Sequence, residues 1–343
     1  MSAEQAVRPT QVERPSGTTR TGDSIVQRLL SSPEGYLFTF IVVVWVFLAI
    51  KSTVFLTERN IGVLLSQVAL IAITGFGMTL LLIAREVDLS VGSMQAFVGV
   101  VAMQAMNQWH YLVVGIVVAI LLGVIVGSLN SALTLKLGIT SFIVTLAMMQ
   151  ILRGAAYTST NAAVQNEHKL SSFKRVFNGA AIENPVRIPW PVVIMAVFFV
   201  IFSLILAKTT FGRSLYALGS NPEAAALSGI HVWRLKTICF IVTSVMAGLS
   251  AFMLIARMNS GQNNAGFGFE LQVIGAVLLG GASLAGGKGT ILGTFLATLL
   301  LGSLNNGITL MGYNPNWQWA VTGIIILVAV FLDSIRRRYT QES

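Results

Sequence analysis

Neutral polar side chains are the residues with which this chain can do chemistry, because its long apolar segments contain few ionisable ones. Gln95, Asn130, Asn305 and Asn306 all lie in such segments. An unmet hydrogen bond in hydrocarbon is costly, so these amides are expected to face one another or a polar path. Such a path suits a neutral, hydroxyl-rich solute, whereas ion-coupled carriers usually need ionisable groups inside the membrane. A contact between helices is the alternative role of each amide.

Charged residues near the ends of apolar segments are the second set of candidates. Arg85 and Asp88 belong to the phrase REVDLSVGS, where Asp88 or Ser90 is expected to cap the next helix and Arg85 to pair with Asp88. A capped turn is the simpler role, and a contact with a solute is the alternative. Arg153 is expected to reach the interface or a polar path. A gate or docking surface is expected around the stretch MNSGQNNAGFGF, with three candidate residues: Arg257, Asn263 and Glu270.

The strongest local signal is the phrase GSNPEAAALSGI at 219–230. Ser220 and Glu223 form a capping box, Pro222 suits a first helical turn, three alanines propagate a helix, and Gly229 can end it. A helix of two turns is not stable alone, and the Ala-rich face of this one lacks the large apolar residues that would hold it on headgroups. We therefore expect it to dock on a soluble partner that moves it. The candidate docking residues are Ser220, Asn221, Pro222, Glu223, Ala224, Ala225, Ala226 and Gly229.

Composition indicates a membrane protein. Of the 343 residues, 55% are hydrophobic and 10% are charged, whereas soluble domains contain about 25% charged residues. The net charge of +9 is spread over segment ends, without the basic stripe of a nucleic-acid-binding protein. The single cysteine, Cys239, excludes a disulfide within the chain. The phrase GGASLAGGKGT does not form a phosphate loop, because Ala282 and Gly289 occupy positions that need Gly and Ser or Thr.

Ten segments are apolar enough to cross a bilayer, which takes roughly 20 helical residues. Two of them, 89–107 and 271–285, are short and interrupted by glycine. The polar residues 1–32 lack the apolar core of a cleaved signal peptide, so a disordered cytosolic tail is expected there, followed by one transmembrane domain over 33–343. The other eight segments are 36–56, 61–84, 111–135, 141–159, 191–207, 237–256, 290–311 and 317–335.

The distribution of charge predicts the orientation. With the tail inside, most of the 22 Lys and Arg residues fall on the inner side. This arrangement places loop 208–236 inside and loop 160–190 outside. The predicted outer ends then contain an aromatic belt formed by Trp109, Trp190, Trp317 and Trp319.

A nine-residue phrase occurs twice, as GSLNSALTL at 127–135 and as GSLNNGITL at 302–310, with identical residues at six positions. The two copies end the fourth and ninth predicted segments, which cross in opposite directions. The repeat therefore predicts two inverted halves, a common basis of alternating access, and indicates transport. Two pairs of glycines four residues apart are expected to let helices approach closely: Gly123 with Gly127, and Gly289 with Gly293.

Five phrases, in order and with matching spacing, resemble the ribose/xylose/galactose-type sugar permeases of bacterial ABC importers. The resemblance covers about residues 36–335. Where many members have Gly-Gly or Ser-Gly, this chain has Arg85-Glu86, which is more similar to the pentose and deoxyhexose branches than to the ribose type. The phrases are GMTLLLIAREVDLSVGS, LKLGITSFIVTLAMMQILRGAAY, TTFGRSLYALGSNPEAAALSGI, ELQVIGAVLLGGASLAGGKGT and GSLNNGITLMGYNPNWQWAVTGIIILVAVFLD.

The resemblance implies an all-α membrane protein of the type II importer arrangement, with about ten transmembrane helices and with spans 2–5 and 7–10 as inverted halves. It implies import of a monosaccharide (a pentose, hexose or deoxyhexose) across the bacterial inner membrane, with both termini cytosolic. A furanone autoinducer, a polyol or a nucleoside is the alternative solute, and a stand-alone carrier is the alternative mechanism.

The implied partners are a second permease copy or paralogue, a cytosolic ABC ATPase with two nucleotide-binding domains, and an extracytoplasmic binding protein, all at a lipid membrane and without nucleic acid. ATP and Mg²⁺ would be bound by the ATPase, so we expect this chain to contain no cofactor, no metal and no catalytic residue. The helix at 221–229 would be the coupling helix that docks on the ATPase.

Overall fold

The computed structural model describes residues 33–161, 163–166, 180–182 and 188–341. The tail expected over 1–32 lies outside the described residues, as does most of the loop expected over 160–190. The part of the chain that is described is helical apart from two short antiparallel ribbons, so the all-α class predicted from the sequence is confirmed.

Twelve helices occur in the described residues. In chain order they are α1 (Pro33–Lys51), α2 (Glu58–Ile83), α3 (Val91–Trp109), α4 (Leu112–Leu135), α5 (Ser141–Thr158), α6 (Trp190–Lys208), α7 (Thr210–Ser220), α8 (Pro222–Leu227), α9 (Val232–Met258), α10 (Phe269–Leu279), α11 (Ile291–Leu310) and α12 (Trp317–Gln341). The ribbons pair β1 (Gln165–Asn166) with β4 (Ser260–Gly261), and β2 (Ala180–Ile182) with β3 (Ile188–Pro189).

Six of the helices are long and apolar enough to cross a membrane: α1, α2, α4, α6, α9 and α11. The helix α10 and the first part of α12, Trp317–Val328, are apolar but shorter. The helices α3 and α5 are not among the six, although both coincide with predicted segments. The described residues thus form a membrane protein with about six clear candidate spans and further helices packed among them.

Short polar caps and glycines set several helix ends. The hydroxyls of Thr57, Thr209 and Thr290 accept hydrogen bonds from backbone amides in the first turns of α2, α7 and α11. Such bonds satisfy amides that have no partner within the helix. Gly138 and Gly312 follow α4 and α11 with φ angles of +71° and +73°, a conformation that L side chains rarely adopt.

The helix α9 lies at the centre of the bundle and packs against α2, α3 and α4. On the far side of α2, α11 packs against α2 and α1, and α6 also contacts α2. The helix α5 packs on α3, and α12 packs on α10. The helix α9 contains many buried small residues, among them Ala247, Gly248, Ser250 and Ala251. Small residues let neighbouring backbones come close, which agrees with the central position of α9.

Two glycines of α4 bring its backbone close to that of α9. A Cβ atom on Gly123 would lie 2.6 Å from Val245 Cα, and one on Gly127 would lie 2.6 Å from Ile241 Cα. The close approach predicted from their spacing is therefore confirmed. The second predicted pair is different, because Gly289 lies before α11 with a φ of +152°, whereas Gly293 lies within α11 and contacts Gly280 O.

The bundle has two ends that the contacts define. One end, here called the α8 end, brings together residues 84–87, the segment 208–236 and the segment 280–290. The other, here called the β4 end, brings Arg153, Thr160 and residues 165–166 against 260–265 through the β1–β4 ribbon and side-chain hydrogen bonds. Most of the candidate residues lie at or near these two ends.

Candidate functional site

Arg85 joins the end of α2 to the end of α7. Its Nε donates to Gly219 O over 2.7 Å, and its Nη2 donates to Ser220 O over 2.8 Å. These are carbonyls of the last turn of α7, which have no partner further along that helix and favour a cation. The expected pairing of Arg85 with Asp88 is therefore wrong. Arg85 itself has a φ of +65°, an uncommon conformation for a side chain of this kind.

Glu86 and Val87 continue this set of contacts. Glu86 Oε1 forms an ion pair with Lys236 Nζ at 2.5 Å, and both side chains are largely buried. Lys236 belongs to the first turns of α9, just after the segment that contains α8. The Val87 amide donates to Ser141 Oγ over 3.4 Å, and its carbonyl accepts from Thr145 Oγ1 over 3.5 Å, so this residue is tied to α5.

Asp88 is the centre of a fully buried polar cluster. Its Oδ1 accepts from the Ser90 amide over 2.8 Å and from Ser90 Oγ over 2.5 Å. Its Oδ2 accepts from Ser244 Oγ over 3.3 Å and from Asn130 Nδ2 over 3.4 Å. Ser90 precedes α3 but makes no side-chain cap bond, and Asp88 accepts from Ser90 rather than from an amide of α3, so the predicted cap of α3 is wrong. We name Asp88, Ser90, Asn130 and Ser244 the Asp88 cluster.

Two opposing effects act on the charge of Asp88, which lies in the segment between α2 and α3. Burial raises the pKa of this carboxyl above its usual range, and the hydrogen bonds from Ser90, Ser244 and Asn130 lower it. The donors come from the start of α3, from α9 and from α4. The cluster therefore joins three helices through one acceptor group.

The helix α8 is capped as a separate short element. Asn221 Oδ1 accepts from the amides of Glu223 and Ala224 over 3.1 and 3.0 Å. The predicted capping box of Ser220 is therefore wrong, because the Ser220 hydroxyl donates to Tyr216 O instead. Pro222 at the first helical position and the two alanines that follow Ala224 agree with the prediction.

The end of α8 also follows the prediction. The Gly229 amide donates to Ala226 O, and Ile230 donates to Ala225 O, while Gly229 has a φ of +82°. This is the left-handed ending typical of helix C-termini. Leu227 in the last turn is 91% exposed, so α8 presents a large apolar side chain to its surroundings.

The segment 280–290 completes the α8 end. The Gly287 amide donates to Ile83 O over 3.0 Å, and Tyr216 Oη donates to Gly289 O over 2.7 Å. A Cβ on Gly286 would lie 2.2 Å from Arg85 Cγ. Burial raises the pKa of the Tyr216 phenol, which keeps it protonated as a donor. The phrase that resembled a phosphate loop is thus a packing segment between α2 and α7.

At the β4 end, Arg153 holds the segment between α9 and α10. Its Nη1 donates to Asn263 O over 3.1 Å and to Ala265 O over 2.6 Å. The Asn263 side chain accepts from Thr160 Oγ1 over 3.1 Å. Glu270 Oε2 lies on Gly92, where a Cβ would be only 1.9 Å away. The structure thus brings Arg153, Asn263 and Glu270 into one region.

The Asn and Gln side chains that were predicted to face one another or a polar path have different surroundings. Asn306 exchanges two hydrogen bonds with Asn60 of α2, at 2.9 and 3.1 Å. Gln95 donates to Ser250 Oγ over 3.0 Å, and Ser250 donates to Leu70 O. Asn305 is half-buried, and its carbonyl accepts from Gln318. These geometries are those of contacts between helices, and a role in a solute path stays a prediction.

Several residues of these networks were not singled out from the sequence. Lys236, Ser244, Ser250 and Asn60 each supply a partner to a predicted residue. Each is a single polar side chain within a long apolar helix, which is a weak signal on its own. Among the described residues, no group of three or more His, Cys, Asp or Glu side chains could hold a metal ion.

A bundle of apolar helices with buried polar contacts and one short exposed helix at an end is typical of the membrane component of a transport system. The chain belongs to the family described as the permease component of the branched-chain amino acid transport system, whose model matches residues 60–330. A permease component is a transport subunit and not an enzyme.

Relatives with curated names extend this assignment. The chain is 39% identical over 292 residues to the ribose import permease protein RbsC of Escherichia coli K12, covering 84% of this chain and 91% of that protein. It is 38% identical to the L-arabinose ABC transporter permease protein AraH of Azospirillum brasilense, covering 86% and 87%. It is 36% identical to RbsC of Bacillus subtilis, covering 91% and 94%. The predicted resemblance to sugar permeases is confirmed.

Proposed function

We propose that this chain is the membrane-spanning subunit of an ATP-driven importer of a monosaccharide, which an extracytoplasmic binding protein delivers. One observation carries the proposal: identity of 36–39% extends over nearly the whole length of permeases named for ribose and L-arabinose. Among the described residues Asp88 is the only fully buried acidic group, which supports the proposal, because a carrier driven by an ion gradient usually needs several. The candidate solute is a pentose, hexose or deoxyhexose.

We propose that α8 is the coupling helix, docking on a cytosolic ATPase that binds ATP and Mg²⁺. A six-residue helix is not stable by itself, yet α8 is capped at both ends and leaves Leu227 exposed. A large apolar side chain at the tip of a short helix suits a groove on a soluble partner. A second permease copy completes the assembly in the bacterial inner membrane, with both termini on the side of α8.

We also propose ten spans arranged as two inverted halves, α2–α5 and α9–α12. The contact of α4 with α9 corresponds under this symmetry to the contact of α11 with α2. The fifth residue of each nine-residue phrase bonds to the corresponding partner helix: Ser131 Oγ meets Thr237 Oγ1 of α9, and Asn306 meets Asn60 of α2. A second repeated phrase, Leu-Ile-Ala-Arg, ends α2 at 82–85 and lies near the end of α9 at 254–257.

Uptake by the complete importer in membrane vesicles tests the proposal. Labelled ribose, L-arabinose, xylose, galactose and leucine would be offered with and without the ATPase and the binding protein. We expect uptake of one or more of the sugars only when both partners and ATP are present. Uptake of leucine alone, or sugar uptake by the isolated chain, would contradict the proposal.

A matched pair of variants tests the docking role of α8. Leu227→Asp is expected to lower recovery of the ATPase with the permease by about tenfold or more, as for a central apolar anchor of an interface. Leu137→Asp alters another exposed leucine, in the segment between α4 and α5, and is expected to leave recovery unchanged. Equal recovery with both variants would show that α8 is not the docking element.

A further inference from the structure

Two adjacent residues, Arg85 and Glu86, contact the chain on both sides of α8. Arg85 donates to Gly219 O and Ser220 O, immediately before α8 begins. Glu86 pairs with Lys236, in the first turns of α9 after α8 has ended. Both flanks of an exposed two-turn helix are thus fixed to one dipeptide at the end of α2.

The junction at Arg85 is closely packed. A Cβ on Gly219 would lie 2.0 Å from Ile83 O, and one on Gly286 would lie 2.2 Å from Arg85 Cγ. A side chain at position 219 would require the backbone to move, and one at position 286 would displace the Arg85 side chain. The end of α7 therefore rests directly on the end of α2, and Arg85 has little room to change its rotamer.

The same segment continues into the interior of the bundle. Val87 bonds to Ser141 and Thr145 of α5. One residue further, Asp88 accepts hydrogen bonds from Asn130 of α4 and Ser244 of α9. Four consecutive residues thus make polar contacts to α4, α5, α7 and α9.

We infer that Arg85 and Glu86 are positioning residues that hold α8 to segment 85–90, so that a displacement of α8 is transmitted to α3, α4, α5 and α9 through that segment. The inference rests on the proposed function, because it takes α8 as the docking element for the ATPase. Arg85 and Glu86 act through other groups, and neither needs to contact the solute.

If the segments on either side of α8 were mobile, a displacement of α8 would not reach the other helices. A short helix joined to the bundle only by its two peptide connections would tilt when pushed, and the helices behind it would stay in place. The two carbonyl contacts of Arg85 and the ion pair of Glu86 remove that freedom on opposite sides of α8. A coupling free energy between two sites requires an element of this kind that responds as one unit.

A charge-reversal cycle on the Glu86–Lys236 pair tests the inference. The complete importer in proteoliposomes would carry Glu86→Lys, Lys236→Glu or both, and the readout is the ratio of ATP hydrolysis with and without the sugar-loaded binding protein. Each single variant is expected to lower this stimulation and the coupled uptake about tenfold, while the ATPase still co-purifies. The double variant restores the ion pair and is expected to recover most of the stimulation.

Two further variants separate positioning from folding. Lys136→Glu reverses a charge on an exposed lysine at the end of α4 and is the matched control, expected to behave as wild type. Arg85→Gly removes the guanidinium but suits the φ of +65°, so we expect a permease that still folds but has impaired stimulation.

The outcomes distinguish the inference from the proposed function. If the wild-type chain recruits no ATPase, the proposed function fails. If the wild-type importer is active and the single reversals and Arg85→Gly keep normal stimulation, the inference is overturned. It is also overturned if the double variant remains as impaired as the single variants.

Discussion

Asp88 shows how one acceptor group organises the interior of this permease. A buried carboxylate is costly unless donors surround it, and here both oxygens accept hydrogen bonds from Ser90, Ser244 and Asn130. The sequence predicted a local turn around Asp88, and the Ser90 contacts agree. The partners on α4 and α9 were not predictable, because they lie 42 and 156 residues away and only the packing of the helices brings them close.

A prediction for single residues concerns the groups that donate hydrogen bonds to Asp88. Asp88→Ala leaves the Ser90 amide and other buried donors without their acceptor, so we expect a loss of about 2 kcal/mol of stability. Asp88→Asn keeps one acceptor oxygen and should lose less. Thermal unfolding in detergent measures both. Ser93→Ala, which removes only a bond to Ser90 O, is the control, and an equal loss in all three variants would contradict the assignment.

At the level of elements, apolar length and caps predicted most of the helices but not all their boundaries. The long helices α2, α4, α9 and α11 were predicted because twenty or more apolar residues leave few alternatives. The helix α7 was missed, although Phe211, Leu215 and Leu218 follow the spacing of one helical face and Thr209 caps it. The cap of α8 was assigned to Ser220 instead of Asn221, because neighbouring cap residues are equivalent in sequence and only the backbone distinguishes them.

The contact of α4 with α9 gives a prediction for elements. Gly127→Ala places a methyl group 2.6 Å from Ile241 Cα, so we expect a loss of about 1–3 kcal/mol of stability. Gly154→Ala on α5 is the matched control, because a Cβ there meets no atom within 4 Å. Its better helix propensity is expected to add about 0.5 kcal/mol. Thermal unfolding of the two variants checks the difference, and equal melting temperatures would contradict a close contact.

For the whole molecule, the repeat was the most useful signal in the sequence. The nine-residue phrase lies in α4 and α11, and its glycines face α9 and α2 respectively: Gly127 approaches Ile241, and Gly302 approaches Val68. The number of spans could not be fixed in the same way. The helices α3, α5 and α10 are short or moderately polar, and hydropathy alone does not separate a short span from a helix buried among others.

The proposed orientation predicts which residues a membrane-impermeant thiol reagent reaches from each side. A Cys239→Ala background removes the only cysteine. In it, Leu227→Cys in α8 and Phe267→Cys before α10 introduce labels at positions that are 91% and 72% exposed. In intact spheroplasts we expect labelling of residue 267 and protection of residue 227, with the reverse in inverted vesicles. Labelling of both from one side would contradict the inverted arrangement.

The bundle contains two mechanically different kinds of contact. Glycines put the backbones of α4 and α9 in direct touch, which leaves these helices no room to slide. The helix α6 instead meets its neighbours through phenylalanine rings, with Phe199 placed 6.1 Å from Phe76 and 5.5 Å from Phe295 between ring centroids. Aromatic rings can tilt while they stay in contact. The helix α6 therefore has more freedom to rotate about its own axis than α4 and α9 have. Because α6 runs into α7 at Thr209, a displacement of α8 is expected to rotate α6 as well as to reach the helices joined to segment 85–90.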